Sequence, residues 1–252
     1  MPVNALRGLP ACLPAPARSG RAGPACYRRP VKLAVVIPAL DEAEWIAGAV
    51  ASAAADGVDV VVADGGSRDG TPDRAEAAGA RVVACAPGRA RQLQAGVRAS
   101  EGDVLLFLHA DTRLAPGFAA MVGRALRDPA VVGGAFRLRF DHSTPSLLVV
   151  EWGARLRVAL FELPYGDQAL FIRRATLDEI GGIPQAPIME DLDLVVAMRR
   201  RGKLAIVPLP ATTSARRYEA SGVWRTMARH WLAAGAWAIG VDRGRIARWV
   251  HR

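Results

Sequence analysis

Residues 33–42 read LAVVIPALDE, an apolar run that ends at a proline and is followed by two acids. The unbroken apolar run over residues 33–37 predicts a strand covered on both faces, as in the centre of a parallel sheet. Polar residues that directly follow such a strand lie at its carboxyl end, where open α/β sheets bind their ligands. This stretch therefore predicts both the fold class and the place of a functional site.

Similar apolar runs recur along the first half of the chain, at residues 58–63, 81–84, 103–108 and 131–138. The segments between them have helical length, and most are rich in alanine, a good helix former. They predict helices at residues 42–55, 71–78, 88–99 and 116–127. Strands that alternate with helices predict βαβ units, so we expect an α/β fold with a mainly parallel central sheet flanked by helices.

The pattern becomes less regular after Phe140. The later elements are predicted as a helix at 146–161, a strand at 168–172, a helix at 190–201 and a strand at 203–207. A chain of 252 residues fits one large α/β domain or two small ones. The continuous pattern favours one domain over residues 31–220.

The two ends of the chain differ from this domain in composition. Residues 1–30 are rich in proline, alanine, glycine and arginine without helix or strand period, which predicts a disordered leader. Residues 221–252 carry several tryptophans among arginines and predict an amphipathic helical tail. Two interpretations of the tail stay open: a helix lying on a membrane surface, or a helix that closes the acceptor side of the domain.

Composition limits the function classes. The net charge of +9 favours an anionic partner such as a nucleoside diphosphate. We expect no nucleic-acid partner, because no basic stripe with interleaved aromatics occurs. The three cysteines lack metal-ligand spacing and predict no disulfide framework. No uninterrupted apolar stretch reaches about 18 residues, so we expect a cytoplasmic protein.

Acidic residues follow three of the predicted strands. Asp41 and Glu42 follow the first, Asp64 follows the second, and Asp111 follows the fourth. Carboxylates gathered at one sheet edge repel one another, and a nucleotide with a divalent metal ion would neutralise them. The alternative for each residue is a turn former or helix cap, since Asp and Gly are common there.

Six motifs together resemble a known family. In chain order they read IPALDE (37–42), DGGSRDGT (64–71), GRARQ (88–92), HADT (109–112), GDQ (166–168) and ED (190–191). Each is weak alone, but the six in this order resemble the family 2 glycosyltransferases, which have the GT-A fold. The narrower resemblance is to the radical-SAM/selenodomain-associated transferases of arsenosugar biosynthesis. The matching region runs from residue 33 to about residue 218.

The resemblance implies roles on the donor side. Residues that would hold the donor nucleotide are Pro38, Ala39, Asp41, Glu42, Asp64, Gly65, Arg89 and His109. Asp111 matches the last acid of the family's metal triplet and would bind Mg²⁺ or Mn²⁺. The first position of that triplet is usually aspartate, whereas this chain has His109, which adds no negative charge. The alternatives are a solvated helix residue for Arg89 and a structural hydrogen bond for His109.

The resemblance also implies the catalytic and acceptor residues. Asp191, beside Glu190, matches the family's base, which would remove the proton of the acceptor hydroxyl. Both acids also suit a helix N-terminus through its dipole, which is the structural alternative. Residues that would contact the acceptor or the sugar are Gly166, Asp167, Gln168 and Arg217. Arg217 also lies, with Arg216 and Tyr218, where relatives keep a basic segment that closes over the diphosphate; the alternative is a solvated basic turn.

The expected activity is transfer of a sugar, with inversion, from a nucleoside diphosphate donor to a hydroxyl acceptor, and a UDP-sugar is the expected donor. One alternative is a sugar-phosphate nucleotidyltransferase, which needs a Gly-rich, Arg-containing loop after the first strand that this sequence lacks. Another is a non-catalytic nucleotide-sugar-binding or membrane-associated protein. It predicts loss of Asp111 or Asp191, and both are present.

Overall fold

A computed structural model of the chain describes residues 31–55 and 57–250. The predicted leader, residues 1–30, lies outside the described residues. Eight strands in the described ranges form one sheet in the order β3-β2-β1-β4-β7-β6-β8-β5. The strands are β1 (Leu33–Ala39), β2 (Val58–Asp64), β3 (Arg81–Ala84), β4 (Val104–Phe107), β5 (Thr112–Leu114), β6 (Val131–Phe140), β7 (Phe171–Arg173) and β8 (Lys203–Thr213).

Helices cover both faces of this sheet. They are α1 (Ile46–Ala53), α2 (Thr71–Ala77), α3 (Arg89–Ala99), α4 (Phe118–Ala125), α5 (Pro145–Phe161), α6 (Arg174–Glu179), α7 (Glu190–Arg199), α8 (Arg216–Ser221), α9 (Val223–Ala238) and α10 (Arg243–Val250). One apolar cluster packs α1 and α4 on one face, and a second packs α3 and α7 on the other. The predicted α/β fold with a mainly parallel sheet is confirmed.

Four of the seven strand pairs are parallel, and their register gathers the carboxyl ends of β1, β2 and β4 at one edge. Ala39 pairs with Asp64 across β1 and β2, and Val36 pairs with Phe107 across β1 and β4. The three loops that begin at these strand ends therefore start side by side. Asp64 is the last residue of β2, and the loops after β1 and β4 contain Asp41 and Asp111.

Strand β1 continues through Pro38, so the prediction that this proline ends the strand is wrong. The carbonyl of Val36 accepts from Leu108 N, and the carbonyl of Ala39 accepts from Gly65 N. Backbone groups alternate between the two neighbours along a strand, so Pro38 faces the β4 side. The β1–β4 ladder ends at the Val36–Phe107 pair, and the missing N–H of Pro38 removes no ladder bond.

The second half of the chain departs most from the sequence prediction. A strand was expected at 168–172, but a 3₁₀ helix (Gly166–Gln168) comes first and β7 begins at Phe171. Ala169 has φ 48°, in the left-handed region, so the chain turns there instead of extending. Strand β7 runs antiparallel to both β4 and β6. The elements β5, α6 and α8 were not predicted, and β8 is longer than its predicted segment.

Gln92 of α3 fastens the ends of two strands beneath the site. Its buried amide Nε2 donates to Ala39 O at 2.6 Å and to Ala63 O at 3.1 Å. Ala39 is the last residue of β1, directly before the loop that carries Asp41. Ala63 directly precedes Asp64 at the end of β2. The side chain therefore holds the two loop origins together.

We expect Gln92→Leu, which keeps the volume but removes both donors, to lower the free energy of unfolding by about 1–3 kcal/mol. Urea denaturation measures the change. Arg98→Ala, an exposed position on the same helix, is the matched control and should stay within about 0.5 kcal/mol of the parent. Equal stability of the Gln92→Leu variant and the control would show that the two bonds carry no net free energy.

Candidate active site

A cavity of about 510 Å³ opens at the carboxyl edge of the sheet. Three carboxylates from distant parts of the chain line it: Asp111 after β4, Asp167 in the 3₁₀ helix and Asp191 at the start of α7. Of the other predicted residues, Arg89, His109, Glu190 and Arg217 also line it. The loops after several strands and the N-terminus of one helix thus share one cleft.

Arg216 joins two of the acids that follow β1 and β4. Its Nη2 donates to Glu42 Oε1 at 2.7 Å and to Asp111 Oδ2 at 3.0 Å. Burial raises the pKa of Glu42 above its usual range, and the hydrogen bond from Arg216 opposes that rise. The point where these carboxylates meet therefore already holds one cationic group, shared by two acids.

Arg89, His109 and Glu190 form a second cluster on the wall of the cavity. Arg89 Nε lies 2.9 Å from Glu190 Oε1, an ion pair whose atoms are not aligned as a hydrogen bond. Arg89 Nη2 also contacts His109 Nε2. Burial, and then the charge of Arg89, lower the pKa of His109 well below its ordinary value. A neutral His109 can accept the hydrogen bond that Arg89 donates.

Glu190 is better suited to holding Arg89 than to catalysis. The residue is 5% exposed, and burial raises the pKa of its carboxyl group, while Arg89 opposes that rise. Its charged partner is Arg89, for which it serves as the counter-ion. Glu190 therefore differs from its neighbour Asp191, which forms no ion pair within residues 31–55 and 57–250.

Backbone donors fix the carboxylate of Asp191. Gly166 N donates to Oδ2 at 2.7 Å, and Leu192 N donates to Oδ1 at 2.9 Å. A Cβ added at Gly166 would collide with Arg89 Nη2 and come within 3.0 Å of Asp191 Oδ2, so a larger residue here requires these side-chain ends to move. Met189 enters α7 with φ 63°, an uncommon conformation for a non-glycine residue. Each oxygen of Asp191 keeps one lone pair for a ligand.

Asp167 and Gln168 are neighbours with different surroundings. Asp167 Oδ1 is buried without a hydrogen-bond partner in the described residues, and burial raises the pKa of this carboxyl group. The side chain of Gln168 is instead fully used: Nε2 donates to Phe136 O, and Oε1 accepts from Arg157 and Tyr165. Gln168 does not line the cavity, so its predicted contact with the acceptor is corrected to a structural role.

The remaining donor residues lie beside the cavity instead of in its wall. Asp64 is 5% exposed, and its carboxylate accepts from Gly66 N and from Ser67 Oγ within its own loop. Ser67 Oγ in turn accepts from Asp41 N, which ties the first two loops together. Residues predicted for the donor that do not line the large cavity are Pro38, Ala39, Asp41, Glu42, Asp64 and Gly65.

Several cavity residues were missed by the sequence analysis. Tyr165 and His230 line the wall, and His230 Nδ1 lies 3.5 Å from Oη of Tyr218, which was expected in the basic segment with Arg217. His230 and Ala233 belong to α9, in the predicted tail, so the tail contributes to the site. A lone histidine or tyrosine outside any motif gives no sequence signal, whereas the neighbouring Arg217 was carried by the resemblance.

The residues present fit a divalent ion only in part. No group of three or more His, Cys, Asp or Glu that could hold a metal occurs in the described ranges. Asp111 offers oxygen ligands, which Mg²⁺ and Mn²⁺ prefer, and His230 lines the same cavity. The guanidinium of Arg216 beside Asp111 shows that a cation is stable there. A metal at this place would need further ligands from a bound nucleotide.

This fold and this site define a class, the sugar-transferring enzymes of GT-A type. The family described as Glycosyl transferase family 2 matches residues 34–180, more than half of the chain. The chain belongs to glycosyl transferase family 2.

Two comparisons involve glucosyl-3-phosphoglycerate synthases. The protein of Mycolicibacterium paratuberculosis (strain ATCC BAA-968 / K-10) is 38% identical over 92 residues, which cover 31% of this chain and 28% of that relative. The match thus spans less than a third of that protein's length. The solved Mycobacterium tuberculosis protein, in complex with phosphoglyceric acid, is 25% identical with a TM-score of 0.57. That similarity covers 81% of this chain and 79% of that one.

A more distant structure shares the fold. The mannosyltransferase from Pyrobaculum calidifontis, solved with GDP-Man and Mn²⁺, has a TM-score of 0.62 at 19% identity. It covers 89% of this chain and 69% of that chain. The M. tuberculosis synthase has also been solved with Mn²⁺ and UDP-Glc, or with Mg²⁺ and UDP. Proteins with this fold therefore bind different nucleotide bases together with a divalent ion.

Asp167, whose buried Oδ1 has no hydrogen-bond partner in the described residues, predicts a pH-dependent change in the stability of the protein. Burial raises its native pKa above 3.8, the ordinary aspartate value, so the native state loses stability as pH rises from about that value through the native pKa. We expect Asp167→Asn to unfold at a higher temperature than the parent at neutral pH. Its free energy of unfolding should be higher by at least about 1 kcal/mol. The difference should vanish well below pH 3.8.

Thermal unfolding between acidic and neutral pH measures this effect. Asp178→Asn, an exposed aspartate on α6, controls for the simple loss of a charge. If Asp167→Asn is no more stable than the parent at neutral pH, then Oδ1 of Asp167 does have a hydrogen-bond partner in the folded protein, and the prediction is wrong.

Proposed function

We propose that this chain transfers a sugar from a nucleoside diphosphate donor to a hydroxyl acceptor, with inversion at the anomeric carbon. The observation that carries the proposal is that the carboxylates of Asp111 and Asp191 open onto the same cavity. Inverting transfer needs stabilisation of a leaving diphosphate and a base for the attacking hydroxyl. The two acids supply one function each.

The donor side of the proposal rests on Asp111 and its cationic neighbours. Asp111 would hold Mg²⁺ or Mn²⁺ together with oxygens of the bound nucleotide, and His230, which lines the same cavity, would supply a nitrogen ligand. When bound, the metal neutralises charge on the leaving diphosphate. Arg217 and Arg89 line the same cavity and would donate to phosphate oxygens, which guanidinium groups bind well. The loops of Asp41 and Asp64 would flank the base and ribose.

The acceptor side rests on Asp191. Its two backbone hydrogen bonds hold the carboxylate in one orientation, and its remaining lone pairs are free to take the proton of the acceptor hydroxyl. Asp167 lies in the same wall and would accept a hydrogen bond from a second hydroxyl of the acceptor, because its Oδ1 has no hydrogen-bond partner in the described residues. Orientation of the acceptor by these two carboxylates supports attack from the side opposite the leaving group.

Family membership does not specify the donor base, so the choice of donor is a separate proposal. We propose a UDP-sugar, in line with the synthase solved with UDP-Glc, although the mannosyltransferase of the same fold was solved with GDP-Man. The narrower resemblance to the arsenosugar transferases rests on the six motifs alone. Membership of glycosyl transferase family 2 disfavours the nucleotidyltransferase alternative. We place the enzyme in the cytoplasm as part of the same proposal.

Replacing Asp191 by Asn removes the proposed base while keeping the shape of the side chain. We expect turnover of a UDP-sugar to fall by about 10²–10⁴-fold, the usual contribution of a general base. Donor affinity should change little, because Asp191 faces the acceptor. Asp103→Asn, an exposed carboxylate away from the cavity, is the control and should keep full activity. Unchanged turnover of the Asp191→Asn variant would remove the base assignment.

The metal assignment predicts a ligand-dependent gain in stability. UDP-, GDP- and dTDP-sugars are compared by thermal shift with and without Mn²⁺, since a ligand of the native state raises its apparent stability. We expect the largest shift with a UDP-sugar plus Mn²⁺, and expect Asp111→Ala to abolish the Mn²⁺-dependent part. A shift that is the same with and without Mn²⁺ in the parent protein would contradict a metal role.

A further inference from the structure

Helix α5 exposes an apolar stripe on its outer face. Leu148, Trp152, Leu156 and Leu160 recur every four residues, and between 41% and 64% of each is exposed. The opposite face packs Leu147, Val150 and Ala154 into the protein core. A helix that is apolar on both faces is normally buried on both. Its outer face therefore has no covering partner in residues 31–55 and 57–250.

Helix α9 packs against α5 and continues this surface. Trp224, Trp231 and Leu232 lie exposed on one of its faces. Of the thirteen exposed large apolar side chains in the described ranges, all but Leu40 and Ile206 lie on α5 or between residues 224 and 249. Such clustering marks an interaction surface, whereas apolar residues scattered singly do not. We call α5 together with residues 223–250 the α5/α9 face.

The charge of this face is positive. Arg155, Arg225, Arg245 and Arg248 are exposed on its three helices. Helix α9 contains no acid, and the acid of α5, Glu151, is 7% exposed and bonded to Phe140 N. Exposed tryptophans beside arginines are the composition of a helix that lies in the headgroup region of an anionic membrane.

We propose that the α5/α9 face docks the enzyme on an anionic lipid surface. The inference goes beyond the proposed sugar transfer and does not depend on it. A second copy of the chain would bring two sets of these arginines together, and residues 1–30 carry five arginines and no acid, so both are electrostatically disfavoured. None of the helices in the described ranges is long and apolar enough to cross a bilayer, so docking would be peripheral.

The docked face would lie beside the acceptor side of the site. Trp231 lines a small cavity between α5 and α9 together with Arg157 and Met227. Tyr165, Asp167 and His230 border both this cavity and the large one. Docking would therefore bring the acceptor side of the enzyme to the membrane surface.

Co-sedimentation of the full chain with lipid vesicles tests the proposal. One vesicle type contains phosphatidylcholine alone, and the other an equimolar mixture of phosphatidylcholine and phosphatidylglycerol. We expect binding to the anionic vesicles that weakens as salt is raised. The double variant Trp152→Ser, Trp224→Ser should bind the anionic vesicles with an affinity at least about tenfold lower, because it removes apolar area from both helices. Both positions are exposed, so the thermal unfolding of this variant should match the parent.

Charge is tested with a matched pair of triple variants. Arg225→Gln, Arg245→Gln, Arg248→Gln removes three charges from the face and should abolish the preference for anionic vesicles. Arg98→Gln, Arg124→Gln, Arg127→Gln removes three exposed charges from around α3 and α4 and should leave it intact. Equal losses in the two triple variants, or no vesicle binding by the parent, would overturn the proposal. A dimer that is present in sedimentation velocity of the parent and absent in the Trp152→Ser, Trp224→Ser variant would also overturn it.

Discussion

Mutual repulsion among carboxylates at one sheet edge is the constraint on which the site depends, and half-buried arginines neutralise part of this charge. Arg216 contacts Glu42 and Asp111, residues that are 174 and 105 positions away in sequence. Without such a counter-ion, bringing these acids together would raise their pKa values and destabilise the fold. The guanidinium therefore allows two strand-end loops to lie close enough to share a ligand.

The same principle operates a second time within the cavity. Arg89 balances Glu190 and lies against a neutral His109, so the wall around Asp191 is ordered by its own charges before any ligand enters. Asp167 is the exception, because its buried Oδ1 has no hydrogen-bond partner in the described residues. Unbalanced groups of this kind concentrate at functional sites, where a ligand supplies the missing contact. The cavity combines a balanced wall with one carboxylate that is left for the ligand.

The first half of the fold could be predicted from sequence because its strands are continuous apolar runs. The runs that became β1 and β4 show this pattern without tertiary information, and the run of β2 is broken only by Asp59. The second half could not be, because β7 has three residues and is fixed by antiparallel pairing with β4 and β6. A left-handed residue such as Ala169 is set by its surroundings and leaves no trace in composition.

Motifs predicted the acids of the site, but not the groups that organise them. Asp111, Asp167 and Asp191 were expected and do share one cavity. Arg216 was expected near the diphosphate, but its pairing with Glu42 and Asp111 was not, because these partners lie more than a hundred residues away. Gln168 stands in a motif, yet its amide is used within the fold, which only the hydrogen bonds reveal. Sequence thus identifies which residue types are present, whereas topology decides which of them meet.

The stereochemistry of donor hydrolysis tests the central claim most directly, and it needs no knowledge of the natural acceptor. Water takes the place of the acceptor hydroxyl, and ¹H NMR follows the first sugar released from an α-linked UDP-sugar in the presence of Mn²⁺. With Asp191 as a base opposite the leaving diphosphate, the account predicts that the β anomer is released first. Initial release of the α anomer would contradict it.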